Sequence, residues 1–196
     1  MIAKRSYDCL VIGAGPGGAT AAAIVAEQGH STLLVERDEV PRFHVGESLM
    51  PEAYWIFERL GIVHELNRIG FTRKNGVQFV SASDKETRPF IFAEHDDRPS
   101  SESWHVNRSD FDKLLYDTAF NRGANCSDRT RVVDLELRDK GAHKVTLQTG
   151  EGKEHEVAAK VVIDASDGTP QVVSWRDLTH LGRGFELETL SSMSAQ

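Results

Sequence analysis

Tyr7-Asp8-Cys9-Leu10-Val11-Ile12-Gly13-Ala14-Gly15-Pro16-Gly17-Gly18 decides the fold, and Glu36 completes its reading. Leu10-Val11-Ile12 is a short apolar run of the kind buried on both faces of a parallel sheet. Gly13, Gly15 and Gly18 follow at G-x-G-x-x-G spacing. The first permits a tight turn, the second lets backbone approach a pyrophosphate, and the third lets a helix pack close to the strand. Residues 19–28 are rich in Ala and predict a helix whose N-terminal amides and dipole face the phosphates. Residues 31–35 predict the second strand, and Glu36 stands 18 residues past Gly18, placed to accept hydrogen bonds from ribose hydroxyls. A glycine turn without a ligand is the competing reading, and the ordered series of strand, glycines, helix, strand and acid disfavours it. An acid at position 36 argues against a 2′-phosphate, although Arg37 follows it directly.

A chain of 196 residues can bury a core of its own. The net charge of −7 disfavours nucleic acid as a partner, because phosphate contacts need a basic surface. No apolar run approaches the length of a membrane span. The basic pair Lys4-Arg5 is followed by Tyr7-Asp8 and then by glycines, which is not the pattern of a secretion signal. Cys9 and Cys126 lack metal-ligand spacing, and the eight histidines are scattered, so no metal site is expected. The simple expectation is a reduced, cytoplasmic protein.

Farther along, residues 38–50 form a loop with Arg42, His44 and the turn Gly46-Glu47-Ser48, after which Pro51 suits the first turn of a helix. Ala53, Ile56, Phe57 and Leu60 recur at helical spacing until Gly61, and a shorter helix covers 63–68. Residues 76–81 and 88–92 predict a hairpin, and 94–102 a charged loop. Asn107 or Ser109 caps the next helix, whose apolar face carries Phe111, Leu114, Leu115 and Ala119. Residues 131–137, 144–148 and 154–158 alternate and predict a three-stranded meander, with Val133, Leu135 and Leu137 as the apolar set of its first strand. Residues 160–165 predict a separate buried strand ending near Asp164. Trp55, Trp104 and Trp175 are read as packing residues. The expected class is α/β, a Rossmann-like domain with a parallel sheet and a three-stranded β-meander.

Four blocks resemble the flavin-dependent halogenases and their FAD-dependent monooxygenase relatives, which share the glutathione-reductase-type fold. They are Gly13–Gly18 with Glu36, the segment Phe43-His44-Val45-Gly46-Glu47-Ser48-Leu49-Met50-Pro51, the segment Gly70-Phe71-Thr72-Arg73-Lys74-Asn75-Gly76, and Val106-Asn107-Arg108-Ser109-Asp110-Phe111-Asp112. The resemblance implies FAD as cofactor. It implies flavin contacts at Gly13, Ala14, Gly15, Pro16, Gly18, Ala19, Glu36, Arg37, Arg42, Gly46, Glu47, Ser48, Arg108, Val133, Asp164 and Ala165. It further implies halogenation in which a flavin C4a-hydroperoxide and chloride give hypochlorous acid, with Lys74 directing the oxidant and Glu47 beside the flavin. Read without the family, Lys74 is a solvated loop charge and Glu47 a carboxylate capping the helix at Pro51. A separate flavin reductase and a small aromatic or carrier-bound substrate are the implied partners. A hydroxylating monooxygenase or reductase of the same fold, and a non-catalytic FAD-binding fragment, are the alternatives.

On this reading residues 1–170 form the FAD-binding part, 71–106 begin a substrate-domain insertion, and 171–196 form an irregular tail. Pro170 stands where the family starts a helix, and the tail loses apolar periodicity from about Val172. The family's second flavin motif and most of its substrate pocket have no counterpart in this sequence. The expectation is therefore an N-terminal fragment: a truncated gene product, a frameshifted reading frame whose tail is out of frame, or a piece of a larger protein.

Overall fold

The computed structural model describes residue 2 and residues 4–166. Expectations for Pro170, Trp175 and the tail lie outside the described residues. The apolar run becomes β1 (Ser6–Ile12), followed by α1 (Pro16–Glu27) and β2 (Thr32–Val35). β2 runs parallel to β1, with Leu33 opposite Leu10 and Val35 opposite Ile12. Alternate residues of β1 face opposite layers, as strand geometry requires. Cys9 and Val11 face a helical layer, and Leu10 and Ile12 a second apolar cluster. Ala19, Ala22, Ala23 and Ala26 give α1 a small-residue face that lies on the sheet and against Phe111, Leu115 and Ala119 of α4 (Arg108–Asn121). Between them come α2 (Tyr54–Arg59), entered through a short 3-10 turn at Pro51–Ala53, and α3 (Val63–Ile69). The cap of α4 is Asn107, whose side chain accepts a hydrogen bond from the Ser109 amide at 3.0 Å.

Two short antiparallel ladders lie between α3 and α4. β3 (Thr72–Lys74) pairs with β6 (Ser103–His105), a pairing that the sequence pattern did not announce. β4 (Gly76–Val77) pairs with β5 (Phe90–Ile91). The expected hairpin over 76–81 and 88–92 therefore forms, but its regular pairing is short. Beyond it the chain is joined by a bridge between Val80 and Glu86. Part of the expected charged loop is a 3-10 turn at Pro99–Ser101.

The C-terminal part of the sheet departs from expectation. β7 (Asn125–Ser127) adds a parallel strand beyond β2. β8 (Thr130–Glu136), β9 (His143–Thr149) and β10 (Glu154–Asp164) extend the same sheet, in the order β7-β2-β1-β10-β9-β8. The third meander strand and the expected separate strand at 160–165 are one strand. Its first half pairs antiparallel with β9 up to Ala159, and its second half pairs parallel with β1 from Ala158. Ala158-Ala159-Lys160 offers no turn residue, so the change in pattern records a change of partner. Nor is the second half uniformly buried: Val161 is 53% exposed. In β8 a register shift between Val132 and Asp134 corrects the expected alternation. A bulge turns successive side chains out of strict period two, so Val132 and Leu135 pack inward while Val133 and Leu137 are exposed.

Candidate functional site

A cavity of about 440 Å³ opens where β1, β2 and β10 end and α1 begins. This is the edge at which open α/β sheets bind ligands. Its floor is the fingerprint turn. A Cβ on Gly18 would lie 1.9 Å from the Gly13 carbonyl oxygen, so the glycine lets the helix start against the turn. At Gly15 the nearest atom to such a Cβ is Arg42 Nη2, 4.0 Å away, and this glycine faces open space in the cavity. Gly15 is the N-cap of α1, and no side chain among the described residues caps it, nor is there an acidic residue in the first turn. The amides of that turn are thus left for a ligand, and the helix dipole favours an anion there.

Glu36 is buried at the end of β2. Its Oε2 accepts from the Ala14 amide at 2.8 Å and from Arg42 Nη2 at 3.0 Å, and its Oε1 accepts from the Asp38 amide at 3.1 Å. Arg42 Nη1 donates to Asp112 Oδ2 at 2.8 Å. Arg108, four residues before Asp112 on α4, grips the same carboxylate through Nε at 2.8 Å and Nη2 at 3.1 Å. Two carboxylates and two guanidiniums therefore balance in one partly buried network. The cavity wall itself carries Arg37, Arg42, Arg108 and Arg131 against Glu36, a surplus of positive charge suited to a pyrophosphate. Arg42 Nε is buried with no hydrogen-bond partner among the described residues.

Of the residues expected at the cofactor, Gly13, Gly15, Pro16, Glu36, Arg37, Arg42, Arg108 and Ala165 line this cavity. Ala14, Gly18 and Ala19 lie buried behind it and shape the turn. Val133 does not line it; the bulge in β8 presents Val132 instead. Asp164 is exposed and accepts from the Ser166 amide at 2.9 Å, leaving Ala165 and Ser166 at the wall. His44, Thr130, Arg131, Val132 and Ser166 are wall residues that the sequence reading did not name as contacts. No motif marks the start of β8, because its place beside the fingerprint depends on backbone bonds between distant segments: the Glu36 amide donates to the Ser127 carbonyl at 3.0 Å and the Thr130 amide to the Glu36 carbonyl at 2.7 Å.

Gly46, Glu47 and Ser48 stand apart from that wall. Glu47 and Ser48 run beside β6: the Val106 amide donates to the Glu47 carbonyl at 2.8 Å, Leu49 N donates to Trp104 O at 3.0 Å, and Ser48 bridges His105. Glu47 does not cap the helix at Pro51. Its Oε2 accepts from the Gly46 amide at 3.1 Å, and its carboxyl is held below the usual range by backbone amides, with Arg108 and His105 adding attraction. On the other side of β6, Lys74 lies opposite Ser103. Lys74 is 7% exposed, which corrects the reading of it as a solvated charge. Its Nζ donates to the Leu49 carbonyl at 3.1 Å and lies 5.5 Å from the centre of the Phe92 ring. Ser103 Oγ donates to the same carbonyl at 3.0 Å. One strand thus joins two blocks that are distant in sequence.

The described residues contain no cluster of metal-ligand side chains, and none of their helices is long and apolar enough to cross a membrane. Residues 6–180 match the family described as "FAD binding domain". The chain is 34% identical over 164 residues to a 1H-pyrrole-2-carbonyl-[peptidyl-carrier protein] brominase of Pseudoalteromonas luteoviolacea, covering 83% of this chain and 38% of that protein. It is 32% identical over 176 residues to a flavin-dependent halogenase of Armillaria mellea, covering 88% of this chain and 34% of that one. Among solved structures, the myxobacterial chondrochloren halogenase superposes with a TM-score of 0.79 at 34% identity, over 86% of this chain and 39% of that one. The chain spans between a third and two fifths of the length of these relatives. A family match over residues 6–180, on a fold that brings the glycine turn, Glu36 and Arg42 to one anion-ready cavity, places this chain in the FAD-binding-domain family, with FAD as its cofactor.

Proposed function

We propose that this chain carries the first β-α-β half of the flavin site in an oxidoreductase of the flavin-dependent halogenase type. The residues fit FAD. The uncapped amides of α1 and the positive wall suit its pyrophosphate, the buried Arg42 Nε still needs an acceptor, and Glu36 suits a ribose. Bound there, FAD supplies the redox chemistry with dioxygen and halide. Residues 1–170 serve this binding, and 71–106 begin the part that meets substrate.

The observation that carries the halogenase reading is the setting of Lys74. Burying an ammonium is costly, so a lysine kept indoors has a local duty rather than a solubilising one. Lys74 is held indoors by the Leu49 carbonyl, in the segment that continues Gly46-Glu47-Ser48. One of its three N–H groups is used there, and the others can donate to the oxygen of a hypohalous acid and hold it for a substrate. Electrophilic attack of this kind suits an electron-rich ring, so the substrate is a small phenol or pyrrole, free or carrier-bound. The Pseudoalteromonas relative is named for a carrier-bound pyrrole. A separate flavin reductase supplying reduced FAD belongs to the same reading, as does a reducing, cytoplasmic location, which suits two unpaired cysteines.

The test is Lys74→Ala in a full-length relative of this sequence, assayed with reduced FAD, oxygen, halide and a panel of phenols and pyrroles. Halogenated product is expected to fall at least about a hundred-fold, with oxygen uptake retained. Product at an undiminished rate would sink the assignment. Hydroxylated product formed without halide would favour the monooxygenase alternative.

A further inference from the structure

Asp112 is the most demanding side chain at the cavity. It is fully buried, and a buried carboxylate persists only when paired and hydrogen-bonded. Its two oxygens accept three hydrogen bonds from two guanidiniums. Oδ1 takes Arg108 Nε at 2.8 Å, while Oδ2 takes Arg108 Nη2 at 3.1 Å and Arg42 Nη1 at 2.8 Å. Arg108 arrives by helical spacing, four residues earlier on α4; Arg42 arrives from a loop 70 residues away. Each arginine then spends another donor elsewhere. Arg42 Nη2 reaches Glu36, and Arg108 Nη1 reaches the Val45 carbonyl at 2.7 Å. The next residue is moulded on that contact: Gly46 has φ +111, and a Cβ there would lie 2.9 Å from Arg108 Nη1. Both arginines line the cavity, whereas Asp112 stands behind them.

We infer that Asp112 is a positioning residue for the cofactor site. It fixes the planes of the Arg42 and Arg108 guanidiniums and, through Arg108, the course of residues 42–47. The cofactor part of this inference rests on the reading of the cavity as an FAD site. Asp112→Asn keeps the shape but replaces one acceptor by a donor that faces a guanidinium. It also changes the network of Glu36, Asp112, Arg42 and Arg108 from neutral to one net positive charge. The cost is therefore local to the two arginines and the loop they hold, and distant from β1 and β9.

The experiment is hydrogen exchange on the whole chain without FAD, followed by FAD titration through quenching of flavin fluorescence. In Asp112→Asn, exchange at Leu49 and Val106, whose amides donate to the Trp104 and Glu47 carbonyls and so hold this loop against β6, is expected to rise at least about ten-fold relative to β1 and β9. A side chain serving stability alone would raise exchange everywhere in proportion to the loss of global stability. FAD affinity is expected to fall roughly ten- to a hundred-fold. If Asp112→Asn does not fold, Arg108→Lys answers the same question: it keeps a positive charge and a donor that can reach the Val45 carbonyl, loses the two-pronged grip on Asp112, leaves the Asp112–Arg42 pair in place, and is expected to loosen the same loop contacts. Unchanged loop exchange in whichever variant folds overturns the inference. Unchanged FAD affinity in a folded Asp112→Asn overturns its cofactor part. Failure of the wild-type chain to bind FAD counts against the FAD reading and equally overturns that cofactor part, while the exchange result decides the positioning of the arginines and loop.

Discussion

At the scale of single residues, the fingerprint glycines separate into two kinds. A Cβ on Gly18 would meet the Gly13 carbonyl oxygen at 1.9 Å, whereas one on Gly15 finds Arg42 Nη2 at 4.0 Å. Gly18→Ala is therefore expected to cost about 1–3 kcal/mol by overpacking, read from the shift in the denaturant midpoint. Gly15→Ala is expected to stay within about 0.5 kcal/mol of wild type while weakening flavin binding. Equal stability losses would mean that both glycines serve packing. Cys126 offers a second residue-level outcome. Burial, with Asp117 adding repulsion, pushes its thiol from an ordinary 9.0 up to about 12. The native thiol should resist iodoacetamide at pH 8 and react on unfolding. Because the folded form keeps its proton longer, this contribution to stability is complete below pH 9.0 and falls as pH rises toward about 12.

At the scale of elements, β1 is clamped at its start. Asp8 Oδ2 accepts from the Ser31 amide at 2.9 Å and from its hydroxyl at 2.7 Å, ahead of β2, while Oδ1 pairs with Lys160 of β10 at 2.7 Å. Lys160 first, and Ser31 after it, hold the Asp8 carboxyl far below its ordinary 3.8. A depressed carboxylate stabilises the fold above its unfolded value and loses that contribution as pH falls through the window beneath it. Stability is expected to drop on acidification below about pH 3.9, and Asp8→Asn should flatten that limb while lowering stability at neutral pH. An acid limb of unchanged slope in the variant would show that Asp8 is not its source. β10 makes the complementary point: one uninterrupted strand serves an antiparallel and a parallel neighbour, with Ala158 and Ala159 paired on both edges.

At the scale of the whole molecule, strand order assembles the site. Parallel β1, β2 and β10 end together, so the glycine turn, Glu36 and Ala165 converge although their sequence positions are far apart. A ligand that binds only this assembled edge must stabilise the fold by mass action. FAD at about a hundred times its Kd is expected to add about 2.7 kcal/mol. The check is melting temperature against FAD concentration, and a flat curve would mean that the folded chain holds no flavin of its own.

The β-α-β unit was legible in the sequence because its requirements are local. A continuous apolar run, glycines at fixed offsets and an acid after the second strand each follow from bonds made within 36 residues of the N-terminus. The cap of α4, narrowed to Asn107 or Ser109, and the break at Gly61 were local in the same way. The tertiary structure decided what depended on pairing. It fused two expected strands into β10, moved the cavity wall from Val133 to Val132 through a bulge, and seated Lys74 indoors through β6. Asp112 lay between the two: its i, i+4 relation to Arg108 was readable on the helix, but the arrival of Arg42 from a distant loop was not. Periodicity and capping are set by backbone neighbours. Which strand lies beside which, and which charge is buried against which, is settled only when distant segments share one sheet and one core.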